Sequence, residues 1–282
     1  MLISSTPLLR LSQGHLNLLE SCPRKFQHTY LEQLNSPVEQ LNSPANREYE
    51  EESQKYEEKS QSLGSHFHLL MQQREMGLPI DSLLAADTKL QSLMSAFAEA
   101  APEVLNNKTD NAIFRESEHY RTLQVQDYLL TVIYDLLIAD AQQAQILDWK
   151  TTKKRPNKRT LAQNWQTLLY MYVLAETSSY LPENISMTYW FVQSEGAPQN
   201  ITFTYSQRQH QQTAKKLNQL LSQLTTWLAD YQQNQPFPQV GTGSKACDYC
   251  HFTRRCDRIP ATEPVKAQNS LPDIANIQEV TI

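Results

Sequence analysis

The chain has 282 residues, 40% of them hydrophobic, and its 25 Lys and Arg against 30 Asp and Glu give a formal charge of −5. That length holds one large domain or two small ones, and the acidic balance excludes a molecule that grips nucleic acid over its whole surface; any such contact has to come from local basic patches. No apolar run is long enough for a bilayer and the start, MLISSTPLLRLSQ, lacks a basic-then-apolar leader, which predicts a cytoplasmic protein whose four cysteines bind metal or stay as thiols.

In chain order, residues 1–35 read as a helix, with Leu16, Leu19, Phe26 and Tyr30 at helical spacings and Cys22–Pro23 interrupting them. A tandem duplication follows, EQLNSPV at 32–38 and EQLNSPA at 39–45. Its Ser-Pro steps resist helix, so residues 36–60 are expected to form a polar linker running into a solvated acidic stretch. Helical periodicity occupies 61–76 and 82–100. From about 112 the pattern turns to strands: AIFRESEHYRTL, YLLTVIYDLLIAD and AQILDWKT. A helix over LAQNWQTLLYMYVLAET, strands at ISMTYWFVQ and NITFTYS, and a Gln-rich helix over 207–233 complete a core expected at 61–235. A cysteine segment at 236–260 and a polar tail at 261–282 close the chain. Helix, three strands, helix, strands, helix predicts an α/β fold: a central sheet flanked by helices.

The stretch QILDWKTTKKRPNKR carries the chemistry. On a strand, Asp148 and Lys150 point to one side and Trp149 to the other. Taken alone, that pair is a salt bridge at a strand end, which is common and contributes little. Asp135, however, sits inside the otherwise apolar VIYDLLIAD, where a lone carboxylate is costly unless it is paired or bound to a cation. Asp140 closes that strand and reads as a turn residue. Two acids and a lysine on adjacent strands form an oxygen-rich site suited to Mg²⁺ or Mn²⁺, with the lysine placed to orient water or to stabilise charge developing on a phosphate. Lys153, Lys154, Arg155, Lys158 and Arg159 then supply cations for a DNA backbone.

The ordered set Gly-x-x-x-His (Gly64, His68), Asp135, Asp148-Trp149-Lys150 and Gln-x-x-x-Tyr (Gln166, Tyr170) resembles the PD-(D/E)XK nuclease superfamily in its RecB-type branch. The resemblance implies a restriction-endonuclease-like core in which His68, Asp135, Asp148 and the Trp149 carbonyl hold the metal. Lys150 would be the catalytic lysine, with Gln166 and Tyr170 placing the DNA strand or the network of the site. Two positions depart from the pattern. Val132 stands where such proteins often have a glycine, and Glu116 and Glu118 compete for the glutamate of the preceding strand, with Glu118 preferred.

All four cysteines fall into one spacing: Cys22, then Cys247, Cys250 and Cys256 as C-x2-C-x5-C. Four thiolates bind zinc or an iron–sulfur cluster, and spacing alone leaves both open. With CPRKF at the first cysteine, the set resembles the iron–sulfur nucleases related to AddB and the CRISPR-associated RecB-like exonucleases, which implies a [4Fe-4S] cluster clamping the two ends of the chain. Arg24, Lys25, Arg254 and Arg255 rim that site, there either to bind single-stranded DNA or to offset thiolate charge.

The expectation is a metal-dependent DNA exonuclease acting on single strands or free ends in repair, recombination or related processing. The alternatives are a DNA-binding or assembly subunit that keeps the fold without cutting, and a zinc-stabilised protein with no nuclease role. No Gly-rich phosphate loop is present, so translocation along DNA would need a helicase partner.

Overall fold

A computed structural model describes residues 8–34, 63–105, 114–152, 155–193, 197–248 and 250–258. The 36–60 linker, the 261–282 tail, the basic residues Lys153 and Lys154, and all but the first three residues of the duplicated heptapeptide lie outside the described residues.

A six-stranded mixed sheet forms the centre. Its strands are β1 (Leu9–Leu11), β2 (Phe114–Val125), β3 (Tyr128–Ala139), β4 (Ala144–Lys150), β5 (Ile185–Phe191) and β6 (Gln199–Thr204). β2 and β3 form a long antiparallel hairpin, β3 pairs antiparallel with β4, β4 parallel with β5, and β5 antiparallel with β6. Helices cover both faces. On one side lie α1 (Gln13–Ser21), α8 (Trp165–Glu176) and α9 (Gln207–Gln232), sharing a core with Tyr134, Ile146, Met187 and Tyr189. On the other, α3 (residues 63–75), α5 (Thr88–Ala100) and α6 (Pro102–Leu105) pack Phe67, Leu70, Phe97 and Val104 on Leu136, Leu147, Trp149 and Trp190. The α/β expectation holds, and the layers follow from apolar faces that have to be buried.

The local differences have chain-level causes. The first segment is not one helix. It opens with β1, which pairs parallel with β3, and the helix after it breaks at Cys22 before α2 (Pro23–Phe26) and a π-helical turn (Gln27–Leu31). Proline at the first helical position starts a new helix there. The 82–100 pattern divides into α4 (Asp81–Ala86) and α5 because the Asp87 carboxylate accepts hydrogen bonds from Lys89 and Leu90 N–H groups and caps a fresh helix. Asn164 divides α7 (Lys158–Gln163) from α8 in the same way, accepting from Gln166 N–H at 2.8 Å. Asn17 of α1 accepts from Trp165 N–H at 3.2 Å, which ties the N-terminal segment to the start of α8. Leu217, Leu220, Leu221 and Leu224 give α9 its single buried stripe.

Candidate metal centre

β3 meets β2 along its whole length on one edge, so β1 and β4 have to share the other. β1 takes Tyr128–Leu130 and β4 takes Leu136–Ala139. Residues 131–135 of that edge carry no ladder partner, and β4 continues from Asp148 to Lys150 paired with β5 alone. The sheet therefore forks, and the site occupies the fork.

Side-chain alternation slips at the same place. Tyr134 and Leu137, three residues apart, join the core beneath α8, whereas Leu136 joins the core beneath α3. Directly across, the ladder skips the Glu118–Asp135 pair, and Glu118 adopts φ +51°, a left-handed backbone that a glutamate takes only at a cost. The break turns the Glu118 and Asp135 carboxylates toward the fork.

His68, Glu118 and Asp135 bring their ligand atoms within 4.8 Å of one another, the one such trio of His, Cys, Asp and Glu among the described residues. His68 is presented by α3. Its Nε2 lies 3.0 Å from the Trp149 carbonyl and its Nδ1 3.5 Å from Asp135 Oδ1. Helix α3 can come this close because Gly64 has no side chain: a Cβ there would sit 2.7 Å from Thr151 Oγ1. Asp135 Oδ2 accepts from Trp149 N–H at 2.7 Å, replacing the ladder bond that the fork removes.

Asp148 is buried, and its Oδ2 accepts from Gln166 Nε2 at 2.5 Å. The other oxygen, Oδ1, forms an ion pair with Lys150 Nζ at 2.5 Å. Lys150 also lies 5.5 Å over the Tyr189 ring. Burial, with the charge of Asp135 added, pushes the Asp148 pKa up to about 7 against the opposing pull of Lys150 and His68. Burial and Asp135 likewise raise Glu118, partly offset by His68. For His68, burial disfavours the charged ring, but its hydrogen bond to Asp135, the Asp135 and Asp148 charges and the Trp149 carbonyl outweigh it and raise the pKa. Tyr170 is buried against Tyr134, its hydroxyl within hydrogen-bond reach of Gln166, and burial raises it strongly.

This arrangement fits a divalent cation. Two carboxylates and an imidazole converge to ligand distance in the fork, and the Trp149 carbonyl and the buried Asp148 carboxylate stand beside them; hard oxygen donors with one imidazole suit Mg²⁺ or Mn²⁺. Of the sequence-predicted set, His68, Asp135 and Glu118 come within ligand distance of one another with the Trp149 carbonyl at His68, whereas Asp148 stands outside that trio, joined to Lys150 and to Gln166, with Tyr170 behind Gln166. Glu116, the competing acid, is instead 2.7 Å from His119 Nδ1. The left-handed Glu118 backbone and the Thr151 contact to Gly64 were not anticipated; the glycine of Gly-x-x-x-His was the available signal for the second. Asp140 is the expected turn residue, its Oδ1 accepting from Gln142 and Gln143 N–H at 2.7 Å.

The described part of the basic run, from Arg155 onward, lies elsewhere. Arg155 and Lys158 line an open groove with Asn200, Ile201 and Thr202 of β6, two strands or roughly 10 Å from β4. Arg159 is exposed beside them. The four cysteines, from both ends of the chain, line a single pocket with Lys25, Phe252 and Arg258, although no three of their sulfurs close to ligand distance. All four are half-buried and unpaired, and Cys256 Sγ is 4.0 Å from His28 Nε2. Among the described residues no helix is long and apolar enough to cross a membrane.

Comparison with known proteins bears on the same residues. The model of the PD-(D/E)XK nuclease superfamily matches residues 10–257. Seventeen chains of solved structures match, among them the crystal structure of SSO0001, 12% identical over 90% of this chain and 89% of that one with a TM-score of 0.41. No curated protein matches.

Proposed function

We propose that this chain, which belongs to the PD-(D/E)XK nuclease superfamily, is a Mg²⁺- or Mn²⁺-dependent DNA exonuclease of the RecB type that hydrolyses phosphodiester bonds on single strands or free ends in repair or related DNA processing. The observation that carries the reading is the convergence of His68, Glu118 and Asp135 beside the Asp148–Lys150 pair in the sheet fork.

His68, Glu118, Asp135, Asp148 and the Trp149 carbonyl would hold the cation. Bound there, it supplies Lewis acidity and a lowered pKa for water. Lys150 carries its positive charge on the open side of Asp148, where it stabilises negative charge developing on the phosphate. Gln166 fixes one Asp148 oxygen by its hydrogen bond, so that the other keeps its direction. Tyr170 stays neutral and holds Gln166 from below. Arg155, Lys158 and Arg159 would contact backbone phosphates at a distance from the cut, and Lys153 and Lys154 would add to the same basic run.

Cys22, Cys247, Cys250 and Cys256 would hold a [4Fe-4S] cluster, with zinc as the other occupant such a thiol set accepts. Its work would be structural, closing a loop of more than two hundred residues. A cytoplasmic protein fed by a helicase is consistent with this reading.

The test is incubation of anaerobically prepared protein with end-labelled single-stranded DNA in Mn²⁺, Mg²⁺ or chelator. Cleavage that needs metal and disappears in Asp148→Ala supports the reading. Binding without cleavage in every metal overturns it.

A further inference from the structure

Among the described residues, one stretch of the sheet has no helix packed on it. Helices α3, α5 and α6 pack on Leu136, Ile138, Leu147 and Trp149, beyond the fork, and none of them reaches the other half of the β2–β3 hairpin. On that face Tyr120, Thr122 and Gln124 of β2 stand in register with Ile133, Thr131 and Leu129 of β3. Across the next pairing Arg10 of β1 stands in register with Leu129. Tyr120 is 50% exposed and Ile133 45%, a directly opposed aromatic and β-branched pair open to solvent on the hairpin at one edge of the sheet.

The position of this pair is informative. Tyr120 is two residues from Glu118 on one strand, and Ile133 two residues from Asp135 on the other. Two residues of strand span about 7 Å, so the pair lies immediately beside the carboxylates of the fork. Thr122, Thr131 and Gln124 continue the face as hydrogen-bonding side chains. It ends about 20 Å from Asp135 at the exposed Arg10, the cation of this track. An aromatic ring with an apolar neighbour, polar side chains and a terminal arginine, leading into carboxylates, is a chemistry that takes flat bases and a phosphate backbone. Paired bases present no free face to such a ring.

We propose that this face, centred on the Tyr120–Ile133 pair, is a platform on which bases of an unpaired strand stack as they approach the fork. The occupant is one strand, argued from the continuity of the face with the candidate metal centre and from the charge of Arg10. This rests on the nuclease reading for its purpose, but its test does not.

Binding of a fluorescently labelled oligothymidylate, and separately of a duplex, is measured by anisotropy in the D148N background, with Tyr120→Ala and Tyr120→Phe added in turn. Tyr120→Ala is expected to weaken single-strand binding about 5- to 150-fold, Tyr120→Phe to retain it, and the duplex to be little affected. In the cleaving protein Tyr120→Ala should raise KM more than it lowers kcat. Unchanged single-strand binding in Tyr120→Ala, or an equal loss for duplex, overturns the platform. The two readings separate cleanly: protein that cleaves nothing but loses strand binding in Tyr120→Ala keeps the platform and loses the nuclease, whereas metal-dependent cleavage with no effect of Tyr120→Ala does the reverse.

Discussion

Asp148 shows how a single side chain sets both the use and the cost of the fork. Its pKa stands near 7 instead of 3.8, mainly because burial disfavours the charge. A raised acid leaves the fold unpenalised below its unfolded value and takes stability away as pH rises toward its folded one. The metal-free protein should therefore lose stability through this residue between about pH 4 and pH 7. D148N should raise the Tm of metal-free protein at pH 8, by about 2–4 °C for each kcal/mol relieved, while abolishing cleavage. Differential scanning calorimetry of the two proteins at pH 4 and pH 8 checks this, since the gap should open only at the higher pH. Most of the site residues were legible in the sequence, because Asp135 in an apolar strand and Asp-x-Lys at a strand end each break a rule that the core otherwise follows. The Glu118 conformation was not legible. Its φ of +51° falls where the β2–β3 ladder skips a pair, and nothing in RESEH marks it.

At the scale of elements, the fork depends on how closely α3 approaches the end of β4. Gly64→Ala places a methyl against Thr151 Oγ1 and should push the helix away, drawing His68 from the Trp149 carbonyl and Asp135. Displacement of a ligand in this way is expected to weaken Mn²⁺ binding about 10- to 100-fold. Thr151→Ala in the same chain should restore most of it, because the next obstacle to that methyl, Thr151 Cβ, is 3.8 Å away. A calorimetric Mn²⁺ titration of the single and double variants reads this coupling directly. Sheet, helices and their order were foreseeable from periodicity, but element boundaries were not where a side chain caps a helix. Asp87 and Asn164 divide patterns that continue unbroken in the sequence. The three residues of β1 were missed for another reason: LRL is too short to show alternation and becomes a strand only because β3 offers it an edge.

For the molecule as a whole, residues 24–27 meet the segment that follows α9 beside the core. Gln27 is buried and accepts from Phe237 N–H at 2.6 Å, Arg24 donates to the Phe237 carbonyl at 2.6 Å, and the Phe26 and Phe237 rings stack at 6.3 Å. Gln27→Leu leaves the Phe237 N–H buried without an acceptor and should cost about 1–3 kcal/mol, a fall in Tm of roughly 2–12 °C by thermal melt. The cysteine pocket lies over the same junction. If it holds an iron–sulfur cluster, anaerobic protein will be brown, with about four irons per chain by elemental analysis, and Cys250→Ser will lose both colour and iron. Stoichiometric zinc without iron would assign the pocket to the other metal. The central claim is that the fork is a cutting site in which Lys150 acts on the reacting phosphate. Its most direct test is the single-turnover rate of wild type and Lys150→Ala on an end-labelled single strand in saturating Mn²⁺. The account predicts cleavage by the wild type and a rate about 10²- to 10³-fold lower in the variant. Equal rates, or no cleavage by the wild type, would contradict it.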